Sequence, residues 1–81
     1  MKITKIYLRQ PKNQGKIKAY ADIVFDDCLI IRNLKLIETK EKMIVCFPAR
    51  KIKKNFKDIV HPINSELRNY ITDTLISEYK N

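Results

Sequence analysis

Hydrophobic periodicity changes once along this chain, and that change constrains its class more than any other feature. Ile17, Ala19, Ala21, Ile23 and Phe25 alternate with Lys18, Tyr20 and Asp22, the period of a strand with one wet face. Toward the end, Leu67, Ile71, Leu75 and Tyr79 recur at every fourth position with Thr74 on the same stripe, the spacing of an amphipathic helix. A chain of 81 residues has room for one small domain, and nothing repeats or divides residues 1–81. The expected fold class is therefore α+β: an antiparallel β-meander sheet of four to five strands closed by one C-terminal amphipathic helix.

The remaining elements follow from local signals. Lys2 to Arg9 is rich in strand formers, but the alternation of Ile3, Ile6, Tyr7 and Leu8 slips, as at a bulge or a sheet edge. Gln10–Gly15 holds Pro11 and the only glycine, so a hairpin loop with a positive φ at Gly15 is expected. Asp26-Asp27 interrupts the apolar pattern for the length of a tight hairpin. The third strand is apolar on both parities, with Leu29 and Ile31 on one side and Ile30, Leu34 and Leu36 on the other. One helix cannot cover both sides, so the strand wants a second cover. Met43–Phe47 reads as a fourth strand ending at Pro48, and Phe56–Val60 as a short strand pairing back on it. Pro62 stands outside the helix, Asn64 or Ser65 caps it, and Glu66 and Lys80 complement its dipole.

Charge is distributed unevenly. The chain has 17 Lys+Arg against 9 Asp+Glu, a net +8, and five of those cations fall within residues 50–57 without a single acid. Arg50, Lys51, Lys53, Lys54 and Lys57 thus lie on a loop or hairpin tip, where self-repulsion calls for a counter-charge such as phosphate. The plain alternative is a solvated, solubilising loop that blunts a sheet edge. Phe56, inside the run, reads as a core residue, and Tyr20, beside Lys16 and Lys18, as a cross-strand partner; either is also a stacking surface for an unpaired base. The helix is slightly acidic, which argues against a groove-reading recognition helix and against a basic membrane-surface helix.

Catalysis finds little support. The single histidine, His61, precedes Pro62 and is expected to order a turn, and Ser65 is claimed by capping, so a triad of His61, Ser65 and Asp58 is not indicated. One glycine cannot build a phosphate-cradling Gly-rich loop. Cys28 and Cys46 lack metal-ligand or disulfide spacing and are expected to be buried thiols; neither a metal nor a cofactor is implied. No apolar run approaches the ~20 residues that span a bilayer, and the expectation is a soluble cytoplasmic protein.

Met1-Lys2-Ile3-Thr4, Pro48-Ala49-Arg50-Lys51 and above all Asp58-Ile59-Val60-His61-Pro62-Ile63-Asn64-Ser65 followed by Arg68 resemble the stage V sporulation protein G family, SpoVG. The resemblance runs over nearly the whole chain. It implies a homodimer that binds DNA and RNA in bacteria as a regulator of gene expression, with a role in septation and, in spore formers, sporulation. It links Arg50 and Lys51 to nucleic-acid binding, to which this sequence adds Lys53, Lys54 and Lys57, and Arg68 matches a basic family position at the helix start. Ala49 stands where the family usually has Ser, and Ile52-Lys53-Lys54-Asn55 where it has a Thr-Pro-Asp-Gly-like loop. The alternative reading is a non-catalytic adaptor whose dimeric sheet docks an acidic partner.

Overall fold

The computed structural model describes residues 1–12 and 15–81. Strands β1 (Ile3–Arg9), β2 (Ile17–Phe25), β3 (Leu29–Glu38) and β4 (Met43–Cys46) form an antiparallel sheet in sequence order. A separate antiparallel hairpin, β5 (Ala49–Ile52) and β6 (Asn55–Asp58), follows, and α1 (Ser65–Lys80) ends the chain. The α+β meander and its terminal helix match expectation. The short strand expected to pair back on β4 pairs instead with β5, outside the main sheet.

The core lies between one sheet face and α1. Ala19, Ala21, Ile23 and Phe25 are buried on β2, Leu34 and Leu36 on β3, and Ile71 and Leu75 on the helix. Leu67 and Tyr79 pack against this cluster from the two ends of the helical stripe. Asn64 is the N-cap: its backbone is extended and its side-chain oxygen accepts from the Leu67 amide at 2.8 Å. The Ile3 amide donates to the Tyr70 hydroxyl at 2.9 Å, tying the edge strand to the helix.

Two irregularities explain the sequence pattern. In β1, Thr4 is an extra residue between the pairs Ile3–Phe25 and Lys5–Val24, so Ile3 and Ile6 reach the core face although three positions apart. The slipped alternation therefore reflects both a bulge and an edge. In β3, Arg32 and Asn33 together oppose Asp22, and Asn33 takes a left-handed φ of 66°. This bulge reverses the parity of the strand. Leu29 and Ile31 consequently share the core-facing side with Leu34 and Leu36, while Ile30, paired with Val24, turns outward. The expected two-sided division is thus corrected: the extra residue brings Leu34 and Leu36 to the face of Leu29 and Ile31 and leaves Ile30 on the other.

Turn chemistry departs from expectation in one place. Asp26 and Asp27, with φ of 52° and 54°, form the tight turn, closed by the Cys28 amide donating to the Phe25 carbonyl at 3.0 Å. Gly15, by contrast, does not have a positive φ, and a Cβ there would meet nothing within 4 Å. Asn13 and Gln14 of that expected loop lie outside the described residues. Cys28 is exposed in its turn and Cys46 half-buried, so neither is the buried thiol expected.

Candidate nucleic-acid interface

The hairpin β5–β6 arranges the basic run. Its register pairs Ala49 with Asp58, Arg50 with Lys57, Lys51 with Phe56 and Ile52 with Asn55, and all eight strand residues are exposed. Directly opposed residues share a face, so Arg50 and Lys57 stand side by side on one surface of the ribbon and Lys51 and Phe56 on the other. Like charges directly opposite each other destabilise a strand pair unless an anion lies between them. Among the described residues the ion pairs are Arg9–Asp22 and Lys18–Glu38, and no hairpin cation has an acidic partner.

Lys53 and Lys54 form the two-residue tip, with Lys53 at a φ of 56°. A lysine gains nothing locally in that left-handed conformation, which costs on the order of 1 kcal/mol. The tip therefore projects two cations at some expense in backbone strain. At the root, the Ile59 amide donates to the Pro48 carbonyl at 2.7 Å and closes the ribbon.

Arg68 is placed differently from the five hairpin cations. Its guanidinium lies over the Phe47 ring at 5.5 Å and reaches the Pro62 carbonyl at 3.5 Å. His61 donates its Nδ1 hydrogen to the same carbonyl at 3.1 Å. Both side chains thus brace the turn into α1, as expected for His61, and Arg68 stands over Phe47, the residue before Pro48 at the hairpin root. Phe56 is the clearest departure: it is 72% exposed instead of buried in the core. Ile59, Val60 and Ile63 beyond it are also exposed, the last at 92%. Four large apolar side chains within residues 56–63 are thus left open to solvent.

These features occupy the segments that carried the sequence resemblance, and the family model described as SpoVG matches residues 1–81. The chain belongs to the SpoVG family. A relative from Fusobacterium nucleatum is 42% identical over 82 residues, covering 98% of this chain and 88% of its own. Relatives from Caldicellulosiruptor saccharolyticus, 35% identical over 99% of this chain and 92% of theirs, and Clostridioides difficile, 36% over 98% and 87%, are similar along their length. All three bear the name "Putative septation protein SpoVG". No helix among the described residues is long and apolar enough to cross a membrane.

Sequence reasoning missed a second group. Arg9 of β1 bonds Asp22 at 2.8 Å and the Asn33 side-chain oxygen at 3.0 Å, and lies 6.0 Å from the Tyr20 ring centre. The signal was available in the hairpin register, which sets Arg9 opposite Tyr20, but the Thr4 bulge and the β3 bulge hid which residues share that face.

Proposed function

We propose that this member of the SpoVG family is a small homodimeric regulator of bacterial gene expression that binds DNA and RNA in the cytoplasm and acts in septation, with sporulation control in spore formers. The observation that carries this reading is the Arg50–Lys57 cross-strand pair, two like charges on an exposed ribbon without an acidic partner among the described residues. Phosphate oxygens bridging that pair turn a repulsion into a bidentate anion clamp. Lys51, Lys53 and Lys54 extend the same field, while Arg68 contributes from the hairpin root. Binding of this kind is electrostatic and largely independent of sequence.

Dimerisation is supported by the apolar row of Ile59, Val60 and Ile63 beside Phe56, which a second copy would cover while bringing two basic hairpins together. The alternative is a non-catalytic adaptor whose dimeric sheet docks an acidic partner through the chain's net positive charge. Purification under moderate salt, with and without nuclease, separates the two. A dimer carrying nucleic acid that is lost when Arg50 and Lys51 become Ala is the expected result. A nuclease-resistant heterocomplex with only random nucleic acid would replace the regulator with the adaptor.

A further inference from the structure

The sheet face turned away from α1 carries an ordered set of side chains that the basic hairpin does not use. Register places Arg9, Tyr20, Lys35 and Cys46 in one row across all four strands. The neighbouring row sets Tyr7 opposite Asp22 and the β3 bulge. Tyr7 is 50% exposed, and it stands diagonally across the strand pair from Tyr20, a separation of roughly 7–8 Å between such positions. Aromatic side chains so spaced on adjacent strands are a geometry for stacking successive unpaired bases.

The β3 bulge organises this face. Asp22, its side chain 15% exposed, accepts at one oxygen from the Asn33 amide at 3.0 Å and from Arg9 at 2.8 Å. Among the described residues Arg9 donates to Asp22 and Asn33, both through Nη2, so that Nε and Nη1 have no partner among them and can meet an anion. The guanidinium is thereby fixed beside Tyr20 before any ligand arrives, with its ordering entropy already spent. At the same end of the row a hollow of about 590 Å³ is lined by Arg9 and Tyr20 and rimmed by Lys12 and Lys16. The row itself adds exposed Lys35 on the far side of Tyr20, and Asp22 of the neighbouring row is already paired with Arg9. Positive charge around two aromatic rings suits a phosphodiester strand whose bases are accessible, and a duplex does not offer base faces to a flat sheet.

We propose that this face is a platform for single-stranded nucleic acid: Tyr7 and Tyr20 stack unpaired bases, and Arg9, Lys35, Lys12 and Lys16 meet the adjoining phosphates. The inference rests on the nucleic-acid reading above and adds a ligand form and a second surface to it. Stacking ignores the sugar, so DNA and RNA single strands are both accepted.

The test titrates the full chain with labelled oligothymidylate, oligouridylate and a duplex of equal length. The chain has four tyrosines and no tryptophan, so quenching of tyrosine emission reads stacking directly. The Tyr7→Leu/Tyr20→Leu variant is expected to lose roughly tenfold or more in affinity for both single strands and to lose the quenching, with duplex affinity changed less than about twofold. Tyr20→Phe, which keeps the ring, restores single-strand binding; Lys35→Glu, at an exposed position, tests the row if the tyrosine variant does not fold. Unchanged single-strand affinity in the tyrosine variant, with Lys53→Ala/Lys54→Ala still weakening every ligand, overturns the platform and leaves the hairpin reading standing. A variant that loses single strand and duplex equally, or that shifts from dimer to monomer, also overturns it. Wild type that binds none of the three overturns the nucleic-acid reading itself.

Discussion

Sheet and hairpin are both antiparallel β-structure from one short chain, yet they are held together by different means. In the sheet, one face of β2 is fully sequestered, with Ala21 and Ile23 at 0% exposure, and helix α1 supplies the cover. In the hairpin every residue of β5 and β6 is exposed, Arg50 opposes Lys57 and Lys53 sits at a left-handed φ. An isolated two-stranded ribbon is at best marginally stable in water. The difference separates a region held by burial from one whose side chains are left to solvent.

The largest expected effect sets the same residue type against itself. Ile23→Ala should destabilise the domain by about 2–5 kcal/mol in denaturant unfolding, whereas Ile52→Ala, at 46% exposure, should fall within about 0.5 kcal/mol of wild type. Equal losses would mean that the hairpin is part of the monomer core. Asn64→Ala removes the oxygen that accepts from the Leu67 amide and should cost about 1 kcal/mol in the same assay. A null result there would remove the cap from the account of how α1 is seated.

Smaller effects sharpen the hairpin side of the comparison. Lys53→Gly relieves the left-handed strain and should raise the protection of hairpin amides by up to about 1 kcal/mol in hydrogen exchange, with little change in global unfolding. Arg50→Glu replaces a like-charge pair with an opposite-charge pair and should steady the hairpin by a few tenths of a kcal/mol, on the order of a cross-strand ion pair. The same change should weaken nucleic-acid binding. Opposite signs for stability and affinity are the mark of residues kept for a ligand; a loss in both would assign Arg50 to structure.

Much of the frame was legible in the sequence because it rests on local rules. Alternation located β2, the Asp26-Asp27 pair located a turn, and the spacing of Leu67, Ile71 and Leu75 with Asn64 ahead of them located α1 and its cap. Parity in β3 was not legible, since one residue in the left-handed region, Asn33, moves Leu34 and Leu36 to the other face without altering the composition. Phe56 was misplaced for a related reason: a hydrophobic residue in a strand suggests a core, and only tertiary placement shows that this ribbon has none beneath it. The five cations could be counted from the chain, but their division between the Arg50–Lys57 face, the Lys51–Phe56 face and the tip depended on register. Arg68 carried a charge signal and proved to be braced on Phe47 as well.

The salt dependence of nucleic-acid affinity, measured for wild type and for Arg50→Ala/Lys57→Ala, tests the central claim most directly. The slope of log affinity against log salt should be steep in duplex DNA, about −4 to −9 for one or two hairpins at roughly −0.9 per phosphate neutralised, and should flatten by about one unit for each phosphate no longer neutralised. A slope that stays the same in the variant would contradict the assignment of the Arg50–Lys57 pair to phosphate.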